Sequence, residues 1–140
     1  MIKALLLSGF PCVTRVQGHS MMPTLQDKQY CLINPFCRKY KHGDIVTADV
    51  NGEALVKRVI AVGGDRITIA QSGSVAVNGI WLDEPYIAKQ SKNGKSIDKV
   101  VPEGHVWLMG DNRGASTDSR YFGAVPNWCI IGKMIKRKRG

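Results

Sequence analysis

The sequence lacks a hydrophobic run long enough to cross a membrane. The best candidate, residues 1–10 (MIKALLLSGF), is largely apolar over about ten positions, whereas a spanning helix needs roughly twenty. It carries a lysine near its start, as an anchor segment does. We expect residues 1–12 to be either the remnant of an N-terminal anchor or the first strand of the fold.

Several sequence signals of common sites are also missing. The four cysteines form no C-x-x-C pair, and no histidine stands at a zinc-finger spacing from them, which argues against a structural zinc site. A disulfide between Cys31 and Cys37 is one alternative if the domain faces an oxidising compartment. Buried free thiols are the favoured expectation. There is no internal repeat, no low-complexity linker and no G-x-S-x-G serine elbow.

Acidic residues are scarce relative to basic ones: 11 Asp and Glu stand against 20 Lys and Arg, a net charge of +9. Such an excess favours anionic partners, either nucleic acid or an anionic membrane surface. Part of it lies at Lys133 and residues 136–139 (KRKR), which could bind lipid or simply be a solvated basic end. Aromatic residues make up 7% and do not alternate with the basic ones, so nucleic-acid binding is not expected.

Turn-forming residues are abundant and helix signals are weak. With 15 glycines and six prolines in 140 residues, the sequence predicts one mainly β domain of short strands and little helix. The strongest hairpin signal is Asn51-Gly52 between strands 44–50 and 54–62. A second pair is predicted at 66–70 and 74–77, and Asn78-Gly79 turns the chain into 80–82. Further strands are expected at 30–34, 106–109 and 129–135, and residues 89–99 (KQSKNGKSIDK) are expected to form a surface loop.

One serine lies where no helix or strand pattern places it, in residues 18–25 (GHSMMPTL). A serine hydroxyl is a poor nucleophile unless a base removes its proton. None of the three histidines, His19, His42 and His105, can be tied to Ser20 by pattern. A lysine can replace histidine as the base when burial favours its neutral form.

Lys57 is the candidate base. In residues 54–62 (ALVKRVIAV) strand alternation places Lys57 on one face with Leu55, Val59 and Ala61. A cation among β-branched neighbours is either a charge that protects an edge strand from aggregation or a functional group. The pattern alone leaves both interpretations open.

A polar stretch follows one of the predicted strands, at residues 109–123 (MGDNRGASTDSRYFG). One interpretation is a turn whose side chains cap their own backbone. The stretch is longer than a turn needs, however. An ion pair between Asp118 and Arg120, with hydroxyls nearby, would form a rigid polar wall able to orient a neutral lysine.

Together these segments resemble the type I signal peptidase (leader peptidase) family of Ser-Lys membrane proteases, in its small Gram-positive-like form. The sequence carries the family's boxes in the family's order: SMMPTL at 20–25, GDIV at 43–46, KRV at 57–59 with GD at 64–65, and GDNR at 110–113 with STDSRYFG at 116–123. A single box would be weak, but the full ordered set spans most of the chain. The resemblance implies a compact signal-peptidase-like β-sheet domain, a single catalytic domain over 1–140, and no cofactor.

The resemblance also implies a role for individual residues. Ser20 would be the nucleophile and Lys57 the general base, with Ser116 orienting the lysine and Asp118 and Arg120 supporting it. Val16, Gln17, Met21 and Leu25 would bind an extended signal peptide and select small residues, as in an Ala-x-Ala site. Met21 also fits an ordinary core position. Position 18 is a glycine where some members have a serine that donates to the oxyanion.

The family then implies preproteins as partners, an anionic membrane surface, and a catalytic domain on the extracytoplasmic face. Because members usually carry one or two N-terminal spans, we expect the anchor to be absent or truncated here. Two alternatives remain: a self-cleaving Ser-Lys protease of the SOS-repressor type, and a non-enzymatic basic β domain that binds nucleic acid. The first needs a cleavage bond and a DNA-binding domain ahead of Ser20, and neither is visible.

Overall fold

The computed structural model describes residues 12–135. The basic run at 136–139 lies outside the described residues, as does the predicted anchor remnant apart from Cys12. Within them the chain forms two antiparallel sheets. The strands are β1 (Cys12–Arg15), β2 (Tyr30–Asn34), β3 (Ile45–Val50), β4 (Glu53–Val62), β5 (Arg66–Ile69), β6 (Val75–Val77), β7 (Ile80–Trp81), β8 (Ile97–Val100), β9 (His105–Met109), β10 (Val125–Pro126) and β11 (Ile130–Met134).

The larger sheet has seven strands in the order β1-β2-β11-β3-β4-β9-β10, and the smaller has four in the order β7-β6-β5-β8. In the part of the chain that the structure describes, helix is confined to α1 (Ser119–Phe122) and two 3-10 turns, Arg113–Ala115 and Asn127–Cys129. The mainly β class with little helix is therefore confirmed. No helix in residues 12–135 is long and apolar enough to cross a membrane.

The two Asn-Gly turns close hairpins as the sequence predicts. Asn51 and Gly52 have φ of 52° and 83°, and Asn78 and Gly79 have φ of 53° and 81°. Positive φ at both central residues matches the twist of the flanking strands, and asparagine and glycine tolerate it best. The first turn joins β3 to β4, the second β6 to β7.

A bulge in β4 changes which residues share a face. Opposite β9, Val59 pairs with Leu108 and Ala61 with Trp107, so Ile60 is an extra residue in β4. Ile60 and Ala61 consequently pack in the same core cluster, while Val59 packs in another. The prediction that Ala61 shares a face with Lys57 and Val59 is wrong, because one inserted residue inverts the alternation.

The predicted surface loop at 89–99 is too long at its C-terminal end. Residues 97–99 belong to β8, which pairs with β5. Asp98 lies opposite Thr68 and forms a two-pronged ion pair with Arg66 at 2.8 and 2.6 Å. The strand is short, polar and mostly exposed, so its composition resembles that of a loop.

The larger sheet positions the segments singled out in the sequence. β4 carries Lys57 and lies between β3 and β9. The polar stretch begins where β9 ends, at Met109, and the serine segment begins shortly after β1. The polar stretch is adjacent to Lys57 because β9 pairs with β4. The serine segment reaches it through a hydrogen bond from Asn112 N to the Ser20 carbonyl.

Candidate active site

Lys57 is buried in the middle of β4. Its side chain is 3% exposed, and its Nζ donates to Ser116 Oγ at 3.0 Å. Burial lowers the pKa of Lys57 from its ordinary 10.5 to about 8, the Asp118 carboxylate opposes this shift, and the Arg120 guanidinium adds to it. A lysine in this setting exists partly as the neutral amine near neutral pH.

Ser116 connects the lysine to a buried carboxylate. Its Oγ donates to Asp118 Oδ2 at 2.7 Å. Asp118 Oδ2 also accepts from Gly110 N at 2.9 Å. Arg120 donates to both Asp118 oxygens, from Nε at 2.9 Å and Nη2 at 3.0 Å. The Asp118–Arg120 ion pair expected from the sequence is thus present, with side chains 0% and 5% exposed. These contacts fix the Ser116 hydroxyl with its lone pairs toward Lys57.

The Ser20 segment is held in place by hydrogen bonds to its backbone. Gly18 has a φ of 88° and donates its N–H to Asp27 Oδ1 at 2.8 Å. Asn112 N donates to the Ser20 carbonyl at 2.8 Å, and Asn112 Nδ2 donates to the His19 carbonyl at 3.0 Å. Asn112 thereby fastens two successive carbonyls of the serine segment to the polar stretch.

Gly110 is the point where Ser20 and Ser116 come together. A Cβ atom at this glycine would stand 2.6 Å from the Ser20 carbonyl oxygen and closer still to Ser116 Oγ. The Ser20 backbone therefore lies beside the hydroxyl that binds Lys57. Lys57, Ser116, Asp118 and Arg120 are joined by hydrogen bonds, and the Ser20 backbone lies beside Ser116. Within residues 12–135 no hydrogen bond joins the Ser20 hydroxyl to Lys57.

A second buried ion pair lies next to this site and was not predicted. Arg58 donates to both oxygens of Asp111, from Nε at 2.8 Å and Nη2 at 2.7 Å. Thr24 Oγ1 donates to the same carboxylate at 2.5 Å. Asp111 thus joins the Lys57 strand to the end of the serine segment. Both residues stood in the quoted boxes, but no sequence signal pairs positions so far apart.

A third buried ion pair, between Arg113 and Glu84, contacts the backbone of the polar stretch. Arg113 binds Glu84 at 2.5 Å and donates from Nε to the Gly110 carbonyl at 2.9 Å. The Tyr86 hydroxyl donates to Glu84 at 2.6 Å, and its ring lies under the Arg58 guanidinium at 4.0 Å. Burial and the Glu84 carboxylate raise the pKa of Tyr86. The Gly110 backbone is therefore held at both its N–H, by Asp118, and its carbonyl, by Arg113.

Three of the four predicted substrate-binding residues lie together. Val16, Met21 and Leu25 pack in one apolar cluster, and Gln17 lies outside it and is exposed. Met21 is 1% exposed, which fits its alternative interpretation as a core residue. The apolar cluster consists of Val16, Met21, Leu25, Cys31, Ile45 and Val56. Leu25 and Cys31 also line a cavity of about 390 Å³ that opens to the surface.

The three histidines contact groups other than Ser20, and the cysteines form no disulfide among the described residues. The ring nitrogens Nδ1 of His19, His42 and His105 contact Met22 Sδ, the Ile60 carbonyl and the Glu103 carbonyl. Within residues 12–135 all four cysteines are free thiols, so the Cys31–Cys37 disulfide does not form in this structure.

Comparison with known proteins agrees with this architecture. The family model "Signal peptidase, peptidase S26" matches residues 1–137. Signal peptidase IB of Staphylococcus aureus is 32% identical over an alignment of 143 residues. The match covers 87% of this chain and 74% of the relative. Signal peptidase I of Bacillus caldolyticus is 36% identical over 138 residues, 85% of this chain and 74% of the relative.

A solved structure supports the same assignment. The crystal structure of a signal peptidase I from Enterococcus faecalis matches with a TM-score of 0.59 and 28% identity, covering 70% of this chain and 97% of that one. The mainly β fold is thus shared with a signal peptidase I, and the sequence relatives come from Gram-positive bacteria. The chain therefore belongs to the signal peptidase family, peptidase S26, and is a peptidase.

Proposed function

We propose that this protein is a serine endopeptidase that removes signal peptides from exported preproteins with a Ser20–Lys57 dyad. The observation that carries the proposal is the environment of Lys57. Its amine is buried, its pKa is lowered to about 8, and it is bonded to Ser116 beside the Ser20 backbone. A buried lysine without a carboxylate in direct contact has little structural value, since burial disfavours its charged form.

In the proposed reaction, neutral Lys57 takes the Ser20 hydroxyl proton as Ser20 Oγ attacks the scissile carbonyl. The protonated lysine then gives that proton to the leaving amine, and an acyl-enzyme forms. A water molecule attacks the ester while Lys57 again accepts a proton, which releases the peptide acid and restores Ser20. Ser116 orients the amine through both steps, and Asp118 and Arg120 hold Ser116.

The tetrahedral oxyanion would be stabilised by the Ser20 backbone N–H. Such a donor contributes about 3 kcal/mol to transition-state stabilisation in other proteases. Position 18 has no side chain to supply a second donor, and its φ of 88° disfavours any residue that would. The site therefore relies on main-chain donors.

The substrate is an extended peptide that adds to the outer edge of β1, which pairs with β2 on one side only among the described residues. Val16 and Met21 are buried beneath this edge, and Leu25 lines the open cavity beside it. An apolar cavity of this kind would take the small side chains of an Ala-x-Ala site. Gln17 lies exposed between Val16 and the serine segment and would contact the same peptide.

The proposed setting is the extracytoplasmic face of an anionic membrane. The net charge of +9 favours such a surface, and the substrates are delivered there.

The test is cleavage of a preprotein-derived peptide with an Ala-x-Ala site, in the presence of phospholipid. We expect wild type to cleave at that site and Ser20→Ala and Lys57→Met to lose at least about a thousandfold in kcat/KM. Lys57→Met keeps the volume of the buried side chain, so it should stay folded. Circular dichroism on each variant provides the control.

Retention of near-normal turnover by Lys57→Met would contradict the dyad. Cleavage by wild type at sites unrelated to small residues would contradict the substrate assignment but leave the dyad intact.

A further inference from the structure

A basic pocket adjoins the serine segment through Asn112. It has a volume of about 340 Å³ and is lined by Lys89, Gln90, Ser91, Lys92, Asn112 and Gly114. Its size falls at the lower end of the range for ligand sites, roughly 300–1,000 Å³. None of its residues belongs to the apolar cluster.

Asn112 connects the pocket to the nucleophile. Its backbone binds the Ser20 carbonyl and its side chain binds the His19 carbonyl. Ser20 is followed directly in the chain by Met21, which belongs to the apolar cluster. A peptide extended across Ser20, with the residues before the scissile bond on the apolar cluster, would carry the residues after that bond toward Asn112.

The segment that carries Lys89 and Lys92 lies against the turn between β5 and β6. Asn93 N donates to the Gln71 carbonyl at 2.8 Å, and the Ser91 carbonyl packs directly against Gly73. The inner wall leaves open space because position 114 has no side chain. A Cβ there would lie 3.6 Å from Ser91 Oγ, so a larger side chain would fill the gap.

The charge of the pocket is positive and unbalanced. Lys89 and Lys92 are both exposed, and within residues 12–135 neither ammonium is paired with a carboxylate. No acidic residue lines the pocket as the structure describes it, and the Asp118 and Glu84 carboxylates of the neighbouring site are bound to Arg120 and Arg113. The pocket therefore offers two free cations to whatever enters it.

We propose that this pocket binds the first residues of the mature protein, those just after the scissile bond, and favours acidic side chains there. The proposal rests on the proposed function, because it needs a peptide bound across Ser20. A carboxylate at either position would lie between Lys89 and Lys92, where opposite charge stabilises the bound peptide.

The test compares three peptides with the same Ala-x-Ala site, followed by Asp-Asp, Ala-Ala or Lys-Lys. In wild type at low salt we expect kcat/KM for the Asp-Asp peptide to exceed that for the Lys-Lys peptide about fivefold to tenfold, and the ratio to shrink with added salt. Lys89→Gln/Lys92→Gln should bring the ratio close to one, and the change should be smallest for the Ala-Ala peptide.

Two further variants separate charge from shape. Lys41→Gln/Lys99→Gln removes the same charge from exposed positions outside the pocket, and we expect it to keep the wild-type ratio. Gly114→Leu should lower cleavage of the Asp-Asp peptide more than that of a Gly-Gly peptide, because the leucine fills the space.

The outcomes distinguish this proposal from the proposed function. If wild type cleaves none of the peptides, or if Ser20→Ala still cleaves them, the proposed function fails. If wild type cleaves the three peptides equally, or if the control double variant loses the preference too, the pocket assignment is wrong. A loss common to all three peptides, seen only with anionic vesicles, would also overturn it and assign the two lysines to the lipid surface.

Discussion

Lys57 and Ser116 lie 59 positions apart in the chain, yet their side chains meet at 3.0 Å in the interior of the protein. The lysine comes from a central strand of the larger sheet, and the serine from the polar stretch that follows β9. The contact gives the amine one defined orientation. It also leaves the amine without a directly bonded carboxylate that would keep it charged.

The first prediction concerns the pH dependence of cleavage. Since the pKa of Lys57 is about 8, only about a tenth of the free enzyme carries a neutral lysine at pH 7. We expect kcat/KM to rise about tenfold per pH unit below this pKa and to level off above it. A pH–rate series on one peptide measures this, and a profile that is flat between pH 6 and 9 would contradict it.

The same shift links stability to pH. The unfolded chain, with a lysine pKa of 10.5, binds a proton that the folded protein has released above about 8. The free energy of unfolding contributed by Lys57 therefore rises with pH between these two values. We expect the stability advantage of Lys57→Met over wild type in urea to be largest below pH 8 and to narrow toward pH 10.5. An advantage that does not change with pH would mean that the lysine pKa is not lowered.

Ser116→Ala should lower kcat with little change in KM, because it removes the hydroxyl that orients Lys57 but leaves the peptide surface intact. A loss of about a hundredfold is expected for a misplaced base. Ser119→Ala is the matched control: this serine is also buried, but its Oγ accepts from Leu108 N at 2.9 Å, away from the lysine. It should cost stability and keep kcat. Equal kcat losses in the two variants would indicate a general packing defect.

Two of the Arg–Asp pairs, Arg58–Asp111 and Arg66–Asp98, share the same two-pronged geometry at different depths. Asp111→Asn leaves Arg58 buried without its partner charge, and we expect a loss of about 3–5 kcal/mol in the free energy of unfolding. Asp98→Asn breaks the pair with Arg66, whose side chain is 63% exposed, and should cost less than about 1 kcal/mol. Chemical denaturation of both variants measures the difference. Similar losses would show that burial does not determine how much each pair contributes to the free energy of unfolding.

Asn112→Ala should weaken catalysis through the position of the nucleophile. The variant keeps the backbone bond to Ser20 but loses the side-chain bond to the His19 carbonyl. We expect kcat for the Ala-Ala peptide to fall about tenfold, while the pH midpoint stays in place because Lys57 is untouched. A shifted midpoint would mean that Asn112 acts on the lysine instead.

Local signals in the sequence predicted most of the strands. Asn51-Gly52 and Asn78-Gly79 fixed two hairpins because few residues adopt the backbone that those turns require. The β4 bulge at Ile60 and the strands β8 and β10 were missed. None has a compositional mark, and all three depend on the strand that lies opposite.

Ser20, Lys57, Asp118 and Arg120 were candidates from their local sequence, and the family resemblance assigned their roles and added Ser116. Long-range pairs such as Arg58–Asp111 and Glu84–Arg113 could not be predicted, since their partners are brought together only by the packing of the sheet. Asn112 was visible in the polar stretch, but its contact with the serine segment depends on where Ser20 lies in the folded chain.

Gly110 sets a limit on how this site can be rebuilt. Even a single methyl group there would overlap the Ser116 hydroxyl and crowd the Ser20 carbonyl, so the three segments fit only around a bare backbone. Anyone transplanting this dyad into another β scaffold has to provide that gap before placing the serine or the lysine. A glycine at this position is required for the site as much as the serine and the lysine are.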